Sequence, residues 1–104
     1  MEGKILRHVV LFKFKEETKE ETIIEFEKSF INLKNKIATI RDIEWGRDVS
    51  IEGISQGFTH CFLVSFESEK DRDEYIPHPN HQDFSGQLGP YLEKVCVVDY
   101  WANH

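Results

Sequence analysis

The densest group of proton-handling side chains is Tyr75-Ile76-Pro77-His78-Pro79-Asn80-His81, a phenol and two imidazoles around two prolines. With ordinary pKa values of about 10 for tyrosine and about 6.5 for histidine, a neutral imidazole can take a proton while a phenol donates a hydrogen bond to developing oxyanion charge. The prolines stiffen the bend that carries them. Tyr75 and His81 are therefore the candidate acid/base pair, and His78, held between prolines, reads as a capping or packing residue. As metal ligands, His78 and His81 would share a face only on an unbroken helix, and no third ligand is evident. No metal site is expected.

Two further histidines, His8 and His60, lie on apolar strand faces, where a polar side chain must find a partner. They either point into one cavity from neighbouring strands or satisfy themselves on backbone carbonyls or on each other. There is no glycine-rich phosphate loop, no Ser or Cys nucleophile beside a base, and no paired-carboxylate motif. The acidic runs Glu16-Glu17, Glu20-Glu21 and Glu67 to Glu74 read as solvated faces.

The elements that must position these groups follow from periodicity. Ile5 to Lys15 reads as a strand with Leu6, His8, Val10, Phe12 and Phe14 on one face and Val9 and Leu11 on the other. Thr18 and Glu21 form a capping-box pattern that opens a helix, in which Ile23, Phe26, Phe30, Leu33 and Ile37 make one apolar stripe and Glu20, Glu27 and Lys34 lie outside. Ile43 to Ser50 reads as a strand, Ile51 to Gly57 as a loop, and Phe58 to Phe66 as a strand carrying Phe58, His60, Phe62, Val64 and Phe66 on one face. A helical stretch ends at Ile76, a short segment from Gln82 to Leu88 follows, and Glu93 to Trp101 closes as a strand apolar on both faces.

This order, strand, helix, strand, strand, helix, strand, is that of a ferredoxin-like α+β fold, βαββαβ, with a four-stranded antiparallel sheet and both helices on one face. The other face, expected to carry Phe12, Phe62, Phe66, Val95 and Val97, is too apolar to stay exposed, so two copies are expected to pair sheet to sheet as a homodimer. Cys61 and Cys96 read as buried free thiols, because a strand between them holds them beyond disulfide reach.

The 104 residues suit a single domain spanning 1–104. A 39% hydrophobic fraction supports a core, and a formal charge of -6 argues against nucleic acid or anionic lipid as partners. No apolar leader and no run approaching ~18 apolar residues is seen, so a cytoplasmic protein without membrane contact is expected.

Across nearly the whole chain the sequence resembles the stress-responsive dimeric α/β barrel (Dabb) family. The segments that carry the resemblance are His8 to Lys15, Trp45 to Ser50, Gly57 to His60, Phe66-Glu67-Ser68, Tyr75 to His81 and Val98-Asp99-Tyr100. The resemblance implies a dimeric barrel with a pocket between sheet and helices. It also includes a plant polyketide cyclase that performs an intramolecular aldol condensation without a cofactor, using a Tyr and a His that align with Tyr75 and His81. By that alignment the pocket would be lined by His8, Val10, Phe12, Phe26, Phe30, His60, Phe62, Phe84, Leu92, Val95 and Val97. Leu92, Phe62 and Phe30 stand where the cyclase has Trp, Val and Tyr, which alters the volume and polarity of the pocket.

Three functions follow as expectations. The first is a cofactor-independent enzyme of cyclase, isomerase or lyase type acting on an apolar carbonyl compound. The second is a non-enzymatic stress-responsive homodimer whose pocket is closed by Phe12, Phe62 and Phe84. The third is a cofactor-free monooxygenase, as implied by other dimeric α/β barrel families.

Overall fold

The computed structural model of the protein describes residues 4–103. Its elements run β1 (Leu6–Phe14), α1 (Glu20–Lys36), β2 (Asp42–Arg47), β3 (His60–Phe66), α2 (Glu69–Tyr75), α3 (Pro79–Leu88), a 3-10 turn (Gly89–Tyr91) and β4 (Leu92–Trp101). The strands form one antiparallel sheet in the order β2-β3-β1-β4, the ferredoxin-like topology, with α2 and α3 in the place of the second helix. The molecule measures 17 Å along its shortest axis, the thickness of one sheet and one helical layer.

Helix α1 forms on the expected stripe: Phe30, Leu33 and Ile37 are buried, and Ile23 and Phe26 pack against the same core. Its start differs from the expected capping box. Lys19 occupies the cap without a side-chain bond, and the Thr18 amide donates to the Lys15 carbonyl in a preceding turn, so Thr18 lies just outside the helix. Glu20 and Glu21 still favour the positive end of the helix dipole. Helix α3 begins three residues earlier than its polar segment suggested. Pro79 sits in its first turn, where the missing N–H costs nothing, and His78 caps it, Nδ1 accepting from the Asn80 amide at 3.1 Å.

The aromatic face of the sheet is the one the helices cover. Phe12, Phe62 and Phe66 are 2%, 0% and 0% exposed, and Phe30 stacks on Phe62 with ring centroids 4.1 Å apart. This corrects their expected place on the bare face. Alternation fixes which residues share a face, not which face the helices choose, and covering the bulkier face removes more apolar area from water.

The uncovered face carries the opposite phase: Val9, Leu11, Cys61, Leu63, Cys96, Val98 and Tyr100. Cys61 is therefore exposed and Cys96 half-buried, rather than both buried, and both are free thiols. They flank Leu11 at two strand spacings, roughly 10 Å, too far for a disulfide. Val95 and Val97 share the phase of Phe12 and Val10, yet they lie on edge strand β4 at 55% and 52% exposure.

Candidate active site

A cavity of about 250 Å³ opens between the β1–β4 side of the sheet and helix α3. Its walls are apolar except at one end, where Tyr75, His81, His8 and Ser85 meet. Tyr75 ends α2 and His81 lies in the first turns of α3, so the proline bend between the helices folds one ring onto the other, with centroids 4.3 Å apart.

The Tyr75 side chain is fully buried, and its hydroxyl has no hydrogen-bond partner among the described residues. An unpaired buried donor costs about 1–3 kcal/mol. Such a group calls for an explanation, and a ligand that completes the bond is one. Burial also pushes the phenol well above its ordinary value of 10, so it stays protonated and donates.

His81 places Nδ1 2.8 Å from the Ile76 carbonyl. A carbonyl only accepts, so Nδ1 carries the proton and Nε2 keeps its lone pair. One turn along α3 the Ser85 hydroxyl lies 3.3 Å from Nε2 and donates to it. Burial lowers the His81 pKa below 6.5; the bond to Ile76 opposes this, and charge on His8 and His78 adds to it. At neutral pH the pair is thus an uncharged imidazole, its Nε2 lone pair held only by the Ser85 hydroxyl, beside a protonated phenol, the protonation states that general-base chemistry with oxyanion stabilisation requires.

His8 also packs edge-on against Tyr75, at 5.8 Å between centroids. Its Nδ1 lies 2.7 Å from Asp99 Oδ1, and Arg72 Nη1 donates to Asp99 Oδ2 at 3.1 Å.

Of the residues assigned to the pocket from sequence, His8, Val10, Phe12, Phe30, Tyr75, His81, Phe84, Leu92, Val95 and Val97 line this cavity, joined by Leu88 and Ser85. Phe26, Phe62 and His60 lie outside its wall. Phe26 turns toward Tyr91 and Phe14, and Phe62 is sealed between Phe30 and Trp45. His60 pairs in register with Phe12, while His8 pairs with Val64, which separates the two histidines by about 13 Å along the strands. The two imidazoles therefore do not converge, nor does either rest on a backbone carbonyl.

His60 belongs to a second polar cluster. Its Nε2 donates to Glu27 at 2.7 Å, Arg47 Nε donates to the same carboxylate at 2.7 Å, and Arg47 Nη2 reaches Glu20 at 2.6 Å. Glu27 is buried, not outside as its helical position suggested. Burial alone would raise its pKa, but the hydrogen bonds and charges of Arg47 and His60 outweigh that and hold the carboxyl below 4.5.

Three residues around the site carry only a faint signal in the sequence. Asp99 interrupts the apolar alternation Val95, Val97, Trp101 on β4. Ser85 stands four residues after His81, one helical turn away, and Arg72 stands three before Tyr75. A larger groove, about 750 Å³, opens beside Leu11, Cys61 and Tyr100 of the uncovered sheet face. It lacks the Tyr75–His81 pair.

The model of the stress responsive A/B barrel domain matches residues 6–102. The chain is 43% identical over 95 residues to the stress-response A/B barrel domain-containing protein HS1 of Arabidopsis thaliana, covering 91% of this chain and 87% of that protein. It is 37% identical over 95 residues to olivetolic acid cyclase of Cannabis sativa, covering 91% and 94%. Among solved structures, hydroxynitrile lyase from Passiflora edulis superposes with a TM-score of 0.91 at 27% identity, over 96% of this chain and 94% of that one. A dimeric ferredoxin-like protein of unknown function from Bacteroides fragilis gives 0.71 at 27% identity, over 92% and 94%. A family match over nearly every described residue, together with a relative at 43% identity, shows that this chain belongs to the stress-responsive A/B barrel domain family.

Proposed function

We propose that the protein is a small-molecule enzyme of cyclase, isomerase or lyase type that works by acid/base chemistry on an apolar carbonyl compound. The observation that carries this reading is the Tyr75 hydroxyl, a buried donor without a partner beside the lone pair of His81. A carbonyl oxygen seated there accepts from Tyr75, while His81 Nε2 takes a proton from the neighbouring carbon or hydroxyl. The electron pair left behind moves toward the oxygen that Tyr75 holds, and the proton on Nε2 is returned at the end of the cycle. Two relatives named as a cyclase and a lyase support the reaction class. The alternative of a non-enzymatic homodimer expects an interior closed by Phe12, Phe62 and Phe84; the cavity beside Phe12 and Phe84 favours the enzyme.

The test is a screen of apolar carbonyl compounds for turnover, followed by a pH–rate profile on any substrate found. Protonation of Nε2 removes the base, so activity is lost as pH falls through the His81 pKa. Because burial lowers that pKa, the acid limb is expected to have its midpoint below 6.5. An acid limb above that value, or its persistence in His81→Ala, would remove His81 from the role of base.

We also infer that two copies pair through their uncovered sheet faces. Val9, Leu11, Leu63 and Val98 make a contiguous apolar surface, and the 48–59 loop beside it carries Val49 and Ile51 at 89% and 97% exposure. A charge at the centre of that surface would be desolvated without a partner. Leu11→Glu is therefore expected to convert a dimer to a folded monomer by light scattering on a size-exclusion column. A wild-type monomer, or a variant that stays dimeric, would rule this face out.

A further inference from the structure

His8 is held differently from His81. Both imidazoles pack against Tyr75, His8 buried and His81 half-buried, yet His81 is fixed by a backbone carbonyl and His8 by a carboxylate that is itself held by a guanidinium. A carboxylate has no proton to give, so His8 Nδ1–H donates to Asp99 Oδ1 at 2.7 Å. Arg72 Nη1, 3.1 Å from Oδ2, occupies the other oxygen and fixes the rotation of the carboxylate. Arg72 is in turn bonded to Asp73, with Nε 3.1 Å from Oδ1. With Nδ1 committed to Asp99, the Nε2 edge is what His8 has left for the cavity it lines, and Nε2 has no hydrogen bond among the described residues.

We propose that Arg72 and Asp99 are a positioning pair that fixes the tautomer of His8, so that its Nε2 lone pair faces the cavity and selects a ligand carrying a hydroxyl or enol O–H beside its carbonyl. The inference rests on the acid/base reading of Tyr75 and His81 and names the class of molecule that site takes. Tyr75 supplies a donor for the carbonyl oxygen, and His8, packed edge-on against the same ring and lining the same cavity, supplies an acceptor. A simple ketone satisfies only the first and leaves His8 Nε2 desolvated without a partner. A hydroxy-ketone or enolised dicarbonyl satisfies both. Sites built to bond a ligand hydroxyl discriminate strongly against the analogue that lacks it, because their own buried group is then left unpaired. The remaining wall, with Val10, Phe12, Phe84 and Val97, offers no cation for a carboxylate or phosphate, so the ligand is neutral with an apolar body.

Two measurements test this. Nitrogen-15 NMR of the histidine rings at neutral pH reads the tautomer without any ligand, and His8 is expected as Nδ1–H. Binding is then compared for α-hydroxyacetophenone and acetophenone, which differ by one hydroxyl. The hydroxy-ketone is expected to bind the wild type at least about tenfold more tightly. In Asp99→Asn, Arg72 draws the amide oxygen to itself and turns the NH₂ toward His8, so the imidazole flips to Nε2–H and the preference collapses. Removing that constraint in the Asp99→Asn, Arg72→Gln double variant lets the amide rotate back, and both tautomer and preference return.

A wild-type His8 that is protonated or Nε2–H, equal affinity for the two ketones, or binding of neither would overturn the proposal, and none of these depends on a variant that folds. A preference that survives in Asp99→Asn with a flipped tautomer would overturn it as well. If only the acid/base reading fails, no ketone is turned over, yet the tautomer and the preference both remain.

Discussion

Replacing Tyr75 with Phe is expected to lower turnover by about a hundred- to a thousandfold and, at the same time, to raise the melting temperature by a few degrees. The two effects have one cause. In the resting protein the hydroxyl is buried without a partner, so deleting it removes a desolvation penalty of about 1 kcal/mol or more while the ring keeps its contacts with His8, Phe66 and His81. In the reacting complex the same hydroxyl is the donor aimed at developing oxyanion charge, and losing one such donor costs about 2.7–4 kcal/mol of barrier. Thermal unfolding paired with turnover on a screened substrate checks both. A residue kept only for packing would show the change in melting temperature with no loss of turnover, so the turnover is the reading that decides. The same trade identifies the site physically, since a group that costs stability in the free protein is retained where a bound molecule repairs the cost.

The order of strands and helices was legible because each element has a strong period, as in Phe58 to Phe66 and in the stripe from Ile23 to Ile37. The Tyr75 and His81 pair was legible because the prolines that position it are adjacent in sequence. What alternation leaves open is which face of a sheet the helices choose, and so the strand pattern alone does not show that Phe12, Phe62 and Phe66 lie beneath the helices. Register is equally hidden. His8 and His60 share a phase and neighbouring strands, but pairing His8 with Val64 and His60 with Phe12 sends them to opposite ends of the sheet. Charged residues that complete buried histidines are hidden in the sequence because charge reads as exposure. Glu27 lies four residues after Ile23 and three before Phe30, inside the apolar stripe, and that position was the available sign.

Glu27 carries the second large effect. Glu27→Ala is expected to destabilise the protein by about 3 kcal/mol or more at neutral pH, because it leaves the His60 ring buried with its Nε2–H unpaired and opens space beneath α1. Arg47 contributes less to the loss, since it is partly exposed and keeps its bond to Glu20. The pH dependence has a fixed sign. Glu27 is held below its ordinary value of 4.5 in the folded protein by Arg47 and His60 despite its burial, so the unfolded chain binds its proton first. Its contribution is therefore complete above that ordinary value and is lost as pH falls through the folded pKa, and the gap between wild type and variant narrows toward acid. Urea unfolding at neutral pH and below about pH 4 measures that narrowing, and a gap that widened instead would show that the carboxyl is destabilised where it sits. Replacing both partners, Glu27→Leu with His60→Phe, is expected to recover most of the loss, because an apolar pair of similar volume leaves nothing desolvated without a partner. Such a recovery would mean that the cluster fixes how α1 meets the sheet rather than supplying net stability. Turnover would then depend on it only through the placement of Phe30, whose ring α1 sets against Phe12 and Phe84 at the wall of the cavity.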